Sequence, residues 1–468
     1  MKLRSVAAAV CLAVISSASL VSQGGAPRPN IVFIIADDLG YADVGFNGGR
    51  DISTPHLDRL AASGARLDQF YVQPVCTPTR AALLTGRYPM RHGLQVGVVR
   101  PWSQHGLPLE ERTLAQGLKE AGYATAIIGK WHLGHFEPAY LPTRRGFDVQ
   151  YGHYNGAIDY YTHVREGGHD WHRQDRASYD EGYSTHLIAQ EAVKFVDAQT
   201  SGRPFFLYVP FNAVHNPLQV PERYKKPFTQ LEEPRSTYAG MLAAMDEAVG
   251  QILGALERKG FRENTLVVFS SDNGGHAPGR ITDNGSLRAG KGTLYEGGVR
   301  AAACVAWPGR IKAGTVVSQP LHMVDWYPTL LKLAGASLEQ KLPVDGHDAW
   351  GTIADGQVSP HAEILINAAA TSGAIRAGNW KLVLNGDDHS TEVSQREKGV
   401  EVAAGTPKIE LFDLSSDSGE RRNLAEVHPE KVEYLRARYL ALASQAVPPK
   451  LAPRDPNFKT PAVWGESR

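Results

Sequence analysis

Four short apolar runs each lead into residues that can do chemistry, and this pattern constrains the fold more than any other feature. Asn30–Ala36 ends in Asp37 and Asp38, and Tyr123–Gly129 ends in Lys130, Trp131 and His132. Phe205–Val209 runs on to His215, and Thr265–Ser271 ends in Asp272 and Asn273. Continuous apolar strands are buried on both faces, as in a parallel sheet. Helical patterns separate them at Thr113–Ala121, Thr185–Ala198 and Thr237–Lys259, the last stopped by Gly260. Alternating strand and helix predicts an α/β fold with a large, mostly parallel central sheet and helices on both faces. Ligands in such sheets bind beyond the carboxyl ends of the strands, where all four polar clusters fall.

After about Gly351 the texture changes. Ala374–Asn385 alternates like antiparallel strand, Ile409–Leu414 is another short strand, and Pro429–Ala446 reads as one amphipathic helix. Gly386–Thr406 is polar and reads as a loop. The expected division is a signal peptide over 1–26, a catalytic domain over 27–351 and a C-terminal subdomain over 352–468. The 468 residues carry 49 Lys+Arg and 49 Asp+Glu, so no overall field recruits nucleic acid or an acidic membrane. Lys2 and Arg4, the short apolar stretch Val6–Ile15 and the small residues Ser16–Ser19 predict a secretory signal, hence a periplasmic or secreted protein. No segment is long and apolar enough to span a bilayer. Beyond Cys11 in the signal only Cys76 and Cys304 remain; a bridge between them would remove the thiol from chemistry, and Cys304 reads as part of a buried strand.

Asp37, Asp38, Asp272 and Asn273 offer only oxygen ligands, which suits a hard cation, Ca²⁺ or Mg²⁺. Gathered at one sheet edge they would repel one another unless a cation neutralised them. Cys76 begins the run Cys76–Arg80 and precedes a helical stretch, with Pro78 in the first turn and Thr77 or Thr79 as a cap. The helix dipole and Arg80 are expected to lower the thiol pKa.

The run Cys-x-Pro-x-Arg over Cys76–Arg80, followed by Thr85-Gly86-Arg87, resembles the activation motif of the type I sulfatases, the formylglycine-dependent family. The resemblance implies an alkaline-phosphatase-like sandwich with a small C-terminal sheet-and-helix subdomain. It implies that a formylglycine-generating enzyme converts Cys76 to formylglycine, whose hydrate is the nucleophile. It further implies that Asp37, Asp38, Asp272, Asn273 and residue 76 surround one divalent ion. Gly129–Gly134, His215 and Lys291 are similar to the family's basic segments. By that resemblance Arg80 and Lys130 hold the hydrate, His132 takes a proton from its second hydroxyl, and His215 with Lys291 protonates the departing alcohol. Leu141–Asp148, Asp159–Tyr161, Glu296–Arg300 and Val324–Leu330 are similar to the arylsulfatase B group, which includes N-acetylgalactosamine 4-sulfatase. A sulfated glycan is then the implied substrate, with exo-acting removal of 4-O-sulfate from a galactosamine- or galactose-containing chain. His153, Asn155, Asp159, His276 and Arg300 are candidate sugar contacts. Two alternatives stay open: a phosphomonoesterase or phosphodiesterase of the alkaline phosphatase superfamily, and a non-catalytic sulfoglycan-binding protein.

Overall fold

The computed structural model describes residues 28–369, 372–387 and 408–466. The expected signal segment and nearly all of the expected Gly386–Thr406 loop lie outside these residues. In chain order the main strands are β1 (Asn30–Ala36), β2 (Ala65–Leu67), β3 (Ala124–Lys130), β4 (Val149–His153), β5 (His172–Arg173), β6 (Arg176–Ala177), β7 (Phe205–Pro210), β8 (Thr265–Ser271), β9 (Ala303–Ala306) and β10 (Thr315–Val317). They form one sheet in the order β10-β2-β9-β8-β1-β7-β3-β4-β5-β6. The five central strands, β8 to β4 in that order, are parallel. Antiparallel pairs flank them, β8 with β9 on one side and β4 with β5 on the other. The fold is α/β, as the alternating pattern predicted.

Both faces of β1 are buried, and its residues alternate between two cores. Ile31, Phe33 and Ile35 join one, Val32, Ile34 and Ala36 the other. The first core packs under α2 (Cys76–Thr85), α3 (Leu114–Glu120) and α6 (Trp326–Leu333); the second packs under α1 (Pro55–Ala62), α4 (Ser184–Asp197) and α5 (Arg235–Arg258). α3 starts at a capping box, in which Thr113 and Gln116 satisfy each other's backbone N–H groups. Ile364–Ala368, Gly373–Ala377, Trp380–Leu384 and Ile409–Asp413 form a four-stranded antiparallel sheet, with Leu435 and Tyr439 of α7 (Pro429–Ala443) packed into the first core. The stretch 374–385 is therefore two strands, turned at Gly378, where φ is 57°.

A buried ion cluster joins this sheet to the main unit. Lys381 Nζ lies 2.9 Å from both Glu296 and Glu420, all three side chains fully buried. Tyr71 also donates to Glu296, at 2.9 Å. After the helix α7 the chain returns over the main unit: Val447 N donates to Met90 O at 2.9 Å and Lys450 N to Gly93 O at 2.8 Å.

Candidate active site

Strand ends β1, β3 and β8, the segment after β7 and the start of α2 bring the expected residues together. Consecutive residues on an extended strand point to opposite faces. Asp38 escapes this by adopting a left-handed conformation, φ 63°, its N–H donating to Asp272 Oδ1 at 3.3 Å. Asp37 and Asp38 thereby reach the same cluster: their carboxylates, Cys76 Sγ and a His215 nitrogen all lie within 4.8 Å of one another. His132 makes a similar departure after β3, with φ 58°. Such conformations cost about 1–3 kcal/mol and persist where surroundings over-determine them.

α2 starts at Cys76 itself, with Val75 as the N-cap residue and no side-chain cap. The expected threonine cap is absent because both hydroxyls are committed elsewhere. Thr77 donates to His132 O at 3.0 Å and Thr79 accepts from Gln73 N at 2.9 Å. The expected lowering of the thiol pKa is also corrected. Burial, then Asp272 and Asp37, push the Cys76 thiol well up, outweighing Lys130 and Lys291. Its Sγ donates to Asp37 Oδ1 at 3.3 Å. Cys76 and Cys304 are both free and buried, so no bridge joins them.

Each carboxylate has a cation. Lys130 Nζ donates to Asp37, Lys291 Nζ lies 2.6 Å from Asp38 Oδ1, and Arg80 Nη2 lies 2.8 Å from Asp272 Oδ2. Arg80 and Asp272 are fully buried, and removing one partner of such a pair costs about 3–5 kcal/mol. Burial raises Asp38, but Lys291, His215 and the hydrogen bonds from Asn273 and Lys291 hold it well below the usual carboxylate range. Asp272 goes the other way, pushed up to about 6 by burial and the Asp37 charge despite Arg80.

Both histidines are fixed through backbone carbonyls, which only accept. His132 Nε2 lies 3.0 Å from Val99 O, so Nε2 carries the proton; Nδ1 is buried with no partner among the described residues. Burial, Lys130 and Arg80 hold this imidazole well below its ordinary pKa. His215 Nδ1 lies 2.6 Å from Asn216 O, leaving Nε2 as the lone pair, 3.5 Å from Asp38 Oδ2. Burial and Lys291 push His215 down to about 3, partly offset by Asp38. Cys76, His132, His215 and Lys291 line one cleft of about 180 Å³.

The donor set fits a divalent cation. Asn273 Nδ2 donates to Asp38 Oδ1 at 2.8 Å, while Asn273 Oδ1 is buried without a partner among the described residues, an oxygen left over beside a carboxylate cluster. His215 also stands among the clustered ligand atoms, and the Asp272 carboxylate accepts from Arg80.

Of the candidate sugar contacts, Asn155 donates to Asp170 at 2.9 Å and His153 stacks on Trp171, both fully buried. Asp159 accepts from Tyr161 N, Thr162 N and Gln219, and Arg300 pairs with Asp68 at 3.3 Å. His276 is exposed. The cleft is lined instead by the 96–101 segment, Gly156, Ala157 and Arg165, which no motif marked. Arg165 sits on a two-residue strand of a small hairpin, too short for a periodic signal.

Carboxylates, cations and a buried S–H gathered at the carboxyl edge of an open α/β sheet define the setting of a hydrolase acting on an anionic ester. The Sulfatase family model matches residues 29–336, and the chain belongs to that family: it is a sulfuric ester hydrolase. It is 38% identical over 483 residues to arylsulfatase J of Mus musculus, covering 94% of this chain and 80% of that protein. It is 36% identical to arylsulfatase A of Homo sapiens, covering 89% and 88% of the two chains. The crystal structure of Ps i-CgsB in complex with k-i-k-neocarrahexaose superposes with a TM-score of 0.82 at 33% identity, over 92% of this chain and 95% of that one.

Proposed function

We propose that this sulfatase removes sulfate from a sulfated carbohydrate, acting at the chain end on a 4-O-sulfate of a galactosamine- or galactose-containing glycan. The observation that carries this reading is the convergence on Cys76, whose Sγ lies 3.3 Å from Asp37 in the cleft shared with His132, His215 and Lys291. Relatives named N-acetylgalactosamine-6-sulfatase and the neocarrahexaose complex of Ps i-CgsB support a sulfated galactose-type glycan.

A divalent ion held by Asp37, Asp38, Asp272, Asn273 and residue 76 would neutralise charge on the sulfate oxygens. A thiol kept protonated by burial is a poor nucleophile, which supports conversion of Cys76 to formylglycine by a formylglycine-generating enzyme before activity. Lys130 and Lys291 place positive charge where the sulfate sits, without reorganisation during reaction. Arg80, pinned to Asp272, and Lys130 orient residue 76. His132 accepts a proton at Nδ1, its only free lone pair, and the protonated Lys291 passes a proton through His215 Nε2 to the departing sugar oxygen. The expected location is the periplasm or the exterior; among the described residues no helix is long and apolar enough to cross a membrane.

Paired assays with an aryl sulfate and the matching aryl phosphate test the reaction class. Sulfate turnover is expected to exceed phosphate turnover; the reverse ranking would favour the phosphatase reading. Chelation is expected to abolish turnover and lower Tm. At about 100 times its Kd, a bound ion contributes about 2.7 kcal/mol of stability. Restoring Ca²⁺ and Mg²⁺ separately identifies the ion, and a chelated enzyme with unchanged Tm and rate would refute the metal site.

A further inference from the structure

The imidazole of His132 is held by a closed ring of hydrogen bonds that passes through the residue next to the nucleophile position. Its Nε2–H donates to Val99 O at 3.0 Å, Val99 N donates to Thr77 Oγ1 at 3.1 Å, and Thr77 Oγ1 donates to His132 O at 3.0 Å. A hydroxyl has one proton to give. Val99 N–H can only donate, so the Thr77 proton goes to the His132 carbonyl, and each group in the ring is used once. Thr77, Val99 and His132 are all buried. The ring leaves His132 Nδ1 as the bare lone pair, buried with no partner among the described residues. Gly156 bounds the imidazole on another side: a Cβ there would lie 2.5 Å from both Cε1 and Nε2. The segment that carries Val99 is secured from outside by the far end of the chain. Gln95 Nε2 donates to Val447 O at 2.9 Å and Trp102 Nε1 donates to Ala452 O at 2.7 Å, before and after Val99.

We propose that Thr77 is a positioning residue for His132, whose hydroxyl fixes the imidazole so that Nδ1 stays the proton acceptor, and that Gly156 leaves the space this ring occupies. This rests on the sulfatase reading above, in which Nδ1 takes up a proton. The torsion that turns an imidazole about its Cβ–Cγ bond is broad and roughly two-fold, and half a turn exchanges Nδ1 with a carbon. Thr77 opposes that turn through two bonds. One pins the His132 carbonyl, on a residue whose φ of 58° is left-handed, and the other fixes the peptide of Val99, whose carbonyl receives Nε2–H. A valine at 77 has nearly the same shape but leaves Val99 N–H and the His132 carbonyl without that partner, so both ends of the anchor relax.

The test has one readout that needs no turnover and one that does. Heteronuclear NMR spectra of histidine-labelled protein, made without the formylglycine-generating enzyme, report the tautomer directly, and a His132→Asn variant assigns the signal. The wild type is expected to carry the His132 proton on Nε2, in slow exchange with water. Thr77→Val and Gly156→Ala shift or abolish that signal, and Thr77→Ser retains it. Turnover of a chromogenic aryl sulfate is then measured per converted chain, with conversion read from the mass of the Cys76 peptide, because Thr77 lies within the Cys76–Arg80 run. Gly156 lies outside that run, so its variant leaves maturation untouched. Thr77→Val and Gly156→Ala are expected to lower kcat about tenfold or more, with KM no higher than in the wild type, since His132 moves a proton and does not hold the substrate. Thr77→Ser recovers most of the lost kcat. A wild-type proton on Nδ1, or a Thr77→Val enzyme whose kcat per converted chain stays within about twofold of the wild type, overturns the proposal. So does a loss carried by KM alone, or a Thr77→Ser enzyme as slow as Thr77→Val. A wild type that hydrolyses no aryl sulfate overturns the sulfatase reading instead, while the spectra still decide the hydrogen-bond ring.

Discussion

Cys76→Ala is expected to lose turnover by about 10⁴-fold or more while keeping its fold, because it removes the only atom from which the nucleophile is made. The thiol contributes one weak S–H donor bond, to Asp37 at 3.3 Å, and alanine is the best helix former for the first turn it occupies. The variant should therefore unfold within a few degrees of the wild type. Mass spectrometry of the Cys76 peptide supplies the independent check. After co-expression with a formylglycine-generating enzyme, the wild-type side chain should lose sulfur and two hydrogens and gain one oxygen. A Cys76→Ala enzyme with full activity, or an active wild type whose Cys76 remains a thiol, would show that the nucleophile lies elsewhere.

Lys381→Met is expected to be the most damaging single change to stability outside the cleft. It leaves Glu296 and Glu420 facing each other in a fully buried pocket, and breaking such an arrangement costs about 3–5 kcal/mol. The pocket also sets a pH dependence. Burial and the Glu296 charge push Glu420 from its ordinary 4.5 up to about 7, despite Lys381. A carboxyl whose folded-state pKa is raised binds more protons folded than unfolded, so stability falls as pH rises between those two values and is level above them. Glu420→Gln should remove that slope: its Tm relative to wild type rises from pH 4.5 to pH 7. Thermal inactivation midpoints across this window decide the matter, and parallel curves for the two proteins would rule the assignment out.

Much of this was legible in the chain. The four strand ends and Gly260 as a helix stop are signals carried within a few neighbouring residues, and they occur where the pattern put them. The Cys76–Arg80 run carried the family. Local reasoning failed where a distant partner decided the outcome. The thiol, expected to be acidified by its helix and Arg80, is raised by its burial and then by Asp272 and Asp37, which β8 and β1 bring beside it. Thr77 and Thr79 give up the cap because His132 and Gln73 claim their hydroxyls.

The sequence alone determined the alternating α/β plan and the identity of the groups that gather at its carboxyl edge, since strand and helix periodicity and side-chain chemistry are local properties. Only the tertiary structure decided which cation meets which carboxylate: Lys130 with Asp37, Lys291 with Asp38, Arg80 with Asp272. It alone brought Arg165 to the cleft, through a hydrogen bond from Trp464 that spans 299 positions. Such pairings depend on strand order and on where a chain end comes to rest, which no short window of residues encodes.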